Sequence, residues 1–177
     1  MLHLVRHGES TANAAGILAG RIEVELTPRG REQAQAAGAL LGSVVELRSS
    51  SLGRAQATAR LLLPGEEFHV DDRFIELDYG QYDGWVMTDI PREFWKSWRT
   101  DPTFRPDGGE SMADLRVRVS EALQELFAEE GSGARRQDGD VVIVSHVSPI
   151  KAAVAWTLGV HDDVAWRMQL SNASVTT

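Results

Sequence analysis

Apolar residues in this chain come in short runs that end abruptly in polar groups. Leu2-His3-Leu4-Val5 reads as a buried strand stopped by the polar loop Arg6-His7-Gly8-Glu9-Ser10. Thr27 is suited to cap a helix with Pro28 at its first position and Ala34, Ala37, Leu40 and Leu41 at helical spacing, with Gly42 as its stop. Val44 to Leu47 predicts a second strand that exits through Ser49-Ser50-Ser51, and an alanine-rich helix follows from Leu52 to Leu63, closed by Pro64-Gly65. The opening third is therefore expected to run strand, loop, helix, strand, helix.

Downstream, Phe68-His69-Val70 is a short strand, and Glu76 to Trp85 is a glycine-punctuated, aromatic loop. A helix is predicted over Thr88 to Thr100, carrying Phe94, Trp95 and Trp98; these rings read first as core and alternatively as the wall of a substrate pocket. Ser111 caps a long helix to Glu130 whose Met112, Leu115, Val119, Leu123 and Leu126 share one face. A polar loop over Gly131 to Gly139 leads into Val141-Val142-Ile143-Val144, an apolar run suited to a central parallel strand, which ends at Ser145-His146. Pro149 begins a helix to Leu158 with Gly159 past its end, and Met168 to Thr177 predicts a last strand. Strands alternating with helices in this way predict a single α/β domain over 1–177, a three-layer αβα sandwich with a mostly parallel sheet.

Composition narrows the chemistry. The chain has no cysteine, which removes disulfides, zinc–thiolate sites and thiol nucleophiles, and no two of its five histidines form a helical pair; no metal or cofactor is expected. No apolar stretch reaches the roughly 18 residues of a membrane span and no signal peptide is visible, so a soluble, cytoplasmic protein without a membrane partner is expected. A net charge of −8 argues against nucleic acid as a partner. The charge is unevenly spread: residues 1–60 hold seven Arg against five acidic residues, whereas the remainder holds eleven Lys or Arg against twenty-one acidic residues. An anion-binding pole would be built from the first third. Oligomeric state is left open.

Three predicted strand exits carry cationic or polar groups: Arg6-His7, Ser49-Ser50-Ser51 leading to Arg54, and Ser145-His146. In a parallel sheet these exits share one edge, so two histidines and two arginines can meet in one cleft. Such a cluster is a poor way to hold a fold, since like charges repel, but a good way to hold a phosphate dianion through bidentate, charge-assisted bonds. His3, His69 and His161 lie away from that pattern and read as structural.

These residues also resemble a family. Leu4-Val5-Arg6-His7-Gly8-Glu9-Ser10 with Asn13 is similar to the signature of the histidine phosphatase superfamily, the phosphoglycerate mutase-like group. Leu26-Thr27-Pro28-Arg29-Gly30, Ser49 to Ala59 around Arg54, Glu76 before Asp78 to Gly84, Gly108-Gly109-Glu110-Ser111 and Val144-Ser145-His146 follow in the family's order. Two departures stand out: Ser51 where relatives usually have proline, and Val147-Ser148-Pro149 in place of a glycine-rich segment. The resemblance implies a metal-independent phosphoric monoester hydrolase of the histidine acid phosphatase type, acting on a small phosphorylated metabolite and releasing inorganic phosphate. His7 would be the nucleophile that becomes phosphohistidine and Glu76 the proton donor. Arg6, Arg54 and His146 would hold the phosphoryl oxygens, with Asn13 and Ser10 as further binding groups. Gly8 and Glu110 would support the site, Glu110 by orienting an arginine or through a helix dipole. Residues 78–110 would form a lid or specificity segment, with Trp85 to Phe104 as its wall. A phosphoglycerate mutase and a non-catalytic phospho-ligand sensor are the alternatives.

Overall fold

A computed structural model of the chain describes residues 1–131 and 139–177. Among the described residues five strands form one sheet: β1 (Leu2–Arg6), β2 (Val44–Ser49), β3 (His69–Val70), β4 (Asp140–Ser145) and β5 (Val175–Thr176), in the order β3-β2-β4-β1-β5. All pairings are parallel except that of β5 with β1. β4 lies at the centre and is buried along its whole length, which explains an apolar run with no polar alternation.

The pleat assigns side chains to two cores. Leu4, Val141 and Ile143 point to one face, where they meet α5 (Met112–Gly131) and α6 (Val147–Leu158) through Leu115, Val119, Leu123, Leu126 and Ile150. Val5, Leu47, Val142 and Val144 point to the other, against α2 (Pro28–Gly38) and α3 (Gly53–Leu62) through Ala37, Ala55, Ala59 and Leu62. The fold is therefore the expected αβα sandwich. Thr27 caps α2 by accepting from the Gly30 N–H at 3.0 Å, and Ser111 exchanges bonds with Asp114 at the start of α5. Among the described residues no helix is long and apolar enough to cross a membrane.

Several boundaries differ from expectation for physical reasons. A short helix, α1 (Thr11–Ala15), follows β1; its signal is a capping box in which Asn13 replaces the usual acidic partner of Ser10. α2 stops at Gly38, before Leu40, which is 72% exposed, because Ala39 tightens to an i−3 bond with Ala36. The fourth helix, α4 (Arg92–Thr100), starts after Pro91 rather than at Thr88, since the residue before a proline is excluded from helical geometry. The strand expected over Met168 to Thr177 shrinks to β5; it is preceded by a 3-10 segment at Asp162–Arg167 and interrupted at Ala173, whose φ is 55°. The polar loop predicted between Gly131 and Gly139 falls largely outside the described residues.

Candidate active site

The register places Arg6 opposite Ser145 and Ser49 opposite Val144, so the carboxyl ends of β1, β2 and β4 stand level and release their loops into one cleft. His7 leaves β1 with its backbone pinned on both sides: its N–H donates to the Ser145 carbonyl at 3.0 Å and its carbonyl accepts from the Ala173 N–H at 3.1 Å. Its ring Nδ1 lies 2.7 Å from the Gly8 carbonyl oxygen. A carbonyl can only accept, so Nδ1 carries the hydrogen and the lone pair resides on Nε2. Close packing requires glycine at position 8: a Cβ there would lie 2.2 Å from the Gly30 carbonyl oxygen at the start of α2.

His146 caps α6 and faces His7 at a ring-centroid distance of 5.1 Å. Its Nε2 is 2.6 Å from Ser50 Oγ, and its Nδ1 is buried without a protein partner. Burial, then the nearby Arg54 and Arg6 charges, pushes the His7 pKa down to about 3, against a smaller opposing effect of the Gly8 bond. His146 is held well below the ordinary histidine range by burial and by Arg54, His7 and Arg6. Both rings are neutral at pH 7.

Two arginines flank this pair. Arg54, only 1% exposed, reaches from the start of α3 to a frame of carbonyls: Nη1 donates to Ile22 at 2.9 Å and Nη2 to Gly20 at 2.7 Å and Ala19 at 3.2 Å. That frame is set by Asp83, whose carboxylate accepts the N–H groups of Gly20, Arg21 and Ile22 at 2.7, 2.6 and 3.0 Å. Arg6 is anchored through Nη1 to the Leu170 carbonyl at 2.7 Å. Each arginine keeps a buried Nε with no protein partner, and burial lowers the pKa of each against the pull of Glu76.

Glu76 is buried, and its Oε1 accepts the Leu77 N–H at 2.8 Å and the Ser148 N–H at 3.2 Å. Its carbonyl is held by Arg118 Nη2 at 3.3 Å. Arg118 in turn is gripped by both oxygens of Glu110, at 2.7 and 2.8 Å, with Arg21 a further 3.4 Å partner. Glu110 thus pairs with Arg118 just before the start of α5. Ser10 is committed as the α1 cap, with its Oγ accepting from the Asn13 N–H, while Asn13 Oδ1 takes the Ser10 N–H and Asn172. Asn13 also lines the cleft.

Arg6, His7, Ser10, Asn13, Arg54 and Glu76 line one cavity of about 270 Å³, together with Tyr79, Lys151 and an apolar wall of Met87, Trp95, Trp98 and Trp166, while His146 is fully buried against His7 and does not reach the lining. A depression of about 420 Å³ shares Trp98 and Trp166 but holds none of the candidate site residues. The aromatic segment divides: Trp95 and Trp98 wall the cleft, Phe94 is core, and Trp85 is exposed, edge-on to Tyr82. Among the described residues no group of three His, Asp or Glu side chains is placed to hold a metal ion. The sequence pattern did not reveal Tyr79, Asp83, Arg118 or Lys151 as site groups. Tyr79 meets Ser148, Asp83 meets Gly20 and Arg118 meets Glu76 across 42 to 69 positions of chain, and such contacts leave no local pattern.

The family model of the histidine phosphatase superfamily, branch 1, matches residues 2–177. The chain belongs to the histidine phosphatase superfamily. Among its curated relatives, phosphoserine phosphatase 1 of Hydrogenobacter thermophilus is 32% identical over 182 residues, 98% of this chain and 83% of that protein. Glucosyl-3-phosphoglycerate phosphatase of Mycobacterium tuberculosis is 36% identical over 163 residues, 87% of this chain and 73% of that one. A solved structure of mycobacterial glucosyl-3-phosphoglycerate phosphatase complexed with VO3 superposes with a TM-score of 0.87 at 32% identity, covering 98% of this chain and 90% of that chain. The strand-exit cluster of His7, Arg54 and His146 is thus embedded in a histidine phosphatase fold.

Proposed function

We propose that this histidine phosphatase is a metal-independent phosphomonoesterase of the histidine acid phosphatase type, hydrolysing a small phosphorylated metabolite through a phosphohistidine on His7. The observation that carries the reading is the Nδ1 bond to Gly8, which leaves an unprotonated Nε2 beside two arginines at the ends of three parallel strands. In the first step the His7 Nε2 lone pair forms a bond to phosphorus while the P–O bond to the substrate alcohol breaks, and Glu76 donates its proton to the departing oxygen. In the second step Glu76 takes a proton from water as the water oxygen bonds phosphorus, and the Nε2–P bond breaks to release inorganic phosphate. Arg6, Arg54, His146 and Asn13 face the phosphoryl oxygens and hold their charge as the group moves in line. Ser10 contributes its hydroxyl hydrogen. Gly8 and Glu110 support the machinery, the first by letting the His7 loop pack against the start of α2 and the second through Arg118.

The relatives' names, phosphoserine phosphatase and glucosyl-3-phosphoglycerate phosphatase, support a small phosphorylated substrate. Residues 78–110 are the specificity segment in this reading, because Tyr79, Met87, Trp95 and Trp98 supply the wall opposite the charged cluster. The test is His7→Ala. It should abolish turnover and the acid-labile phosphoenzyme trapped in the wild type, whereas retention of activity would end the proposal. Hydrolysis by the wild type without a bisphosphate primer separates this enzyme from a mutase, and any turnover separates it from a sensor.

A further inference from the structure

Lys151 stands on α6 one turn beyond Ser148, and its side chain lines the same cavity as His7, Arg6 and Glu76. It is half-buried, and its ammonium lies 5.7 Å from the centre of the Trp166 ring. In a chain with 26 acidic residues, Lys151 makes no ion pair and no hydrogen bond among the described residues. The Glu76 carboxylate and the Arg6 guanidinium are its electrostatic neighbours. Glu76 is the carboxylate that shares this cavity, and Lys151 forms no hydrogen bond or ion pair with it among the described residues; the ammonium is partly stripped of water beside Trp166 and lines the cavity without a close partner.

We propose that Lys151 selects substrates by pairing with a second anionic group, a carboxylate on the body of the phosphomonoester. This rests on the phosphatase reading of the site. A single ammonium offers one point charge, which suits a monoanionic carboxylate, whereas the dianionic phosphoryl group has the two guanidinium groups at the strand exits. The cavity volume of about 270 Å³ limits the body to a few heavy atoms between the two anions. A neutral body of the same size would leave the ammonium desolvated and unpaired. The substrate class is thus the compact phosphorylated carboxylic acids.

The experiment compares 3-phosphoglycerate with glycerol 3-phosphate, which differ by a carboxylate in place of a hydroxymethyl group. The wild type should favour the acid by about ten- to a hundredfold in kcat/KM, the range expected of a charged hydrogen bond. Lys151→Met should collapse that ratio towards one, chiefly by raising KM for the acid, and Lys151→Arg should keep most of it. Lys151→Gln replaces the Met variant if the latter does not fold. No preference in the wild type, a ratio unchanged in the variant, or an equal loss on both esters would each overturn the proposal; the last would mean that Lys151 serves the phosphoryl group or Glu76. Cleavage of neither ester also overturns it. Trapping the His7 phosphoenzyme with an aryl phosphate tells that failure apart from failure of the phosphatase reading, which would leave no phosphoenzyme with any ester.

Discussion

His7 is prepared for attack by being kept neutral, and that preparation weakens the fold in acid. Burial and two adjacent arginines hold its folded-state pKa at about 3, below the value near 6.5 expected in the unfolded chain. Between those values the unfolded chain binds the proton first, so stability is full above about pH 6.5 and declines as pH falls towards 3. At pH 4 the His7 contribution alone is on the order of 3 kcal/mol, and His146 adds in the same direction. Calorimetric Tm values at pH 7, 5.5 and 4 should fall steadily in the wild type and less in His7→Gln, whose amide gains no proton. Equal slopes for the two proteins would mean that His7 is not held neutral. The same depressed pKa predicts that kcat/KM has no acid limb due to His7 protonation above about pH 4.

At the scale of elements, the loop over 19–22 and the 3-10 turn at Gly80–Tyr82 act as a jig for Arg54. Asp83 takes three N–H groups from one side of the loop, and Arg54 donates to three carbonyls on the other. Asp83→Asn turns an oxygen that accepts two N–H groups into an amide or loses the charge beside them, at a cost of about 1–3 kcal/mol. Because the loop positions Arg54, kcat/KM should also fall about tenfold or more, with weaker competitive inhibition by inorganic phosphate. A lower Tm with unchanged phosphate inhibition would make Asp83 a purely structural residue. This jig was invisible in the sequence for a physical reason. Caps at Thr27 and Ser111, the apolar run of β4 and the strand-exit histidines are local signals, and they located α2, α5, β4 and the His7–His146 pair. Asp83 with Gly20, Arg118 with Glu76 and Ser50 with His146 are contacts between residues 42 to 96 positions apart, and side-chain bonds of that span leave no periodicity. The short α1 and the 3-10 segment before β5 were missed because five or six residues are too few to establish a repeat.

Across the whole molecule, a net charge of −8 must coexist with an anionic substrate. The repulsion comes from carboxylates spread over the surface, and it acts over the Debye length, about 30 Å at 0.01 M salt and about 8 Å at 0.15 M. In the proposed reading the attraction comes from Arg6, Arg54 and Lys151, which line the cavity itself and would meet a bound substrate at distances that salt does not screen. Adding an inert electrolyte therefore removes more repulsion than attraction. We expect kcat/KM for a phosphomonoester to rise about twofold between 0.01 and 0.15 M sodium acetate, with kcat nearly constant. A steep fall over that range would instead reveal long-range attraction and place a positive field outside the cleft. Arg6→Ala should keep the sign of this salt response while raising KM, because it removes a contact charge and leaves the surface field almost unchanged.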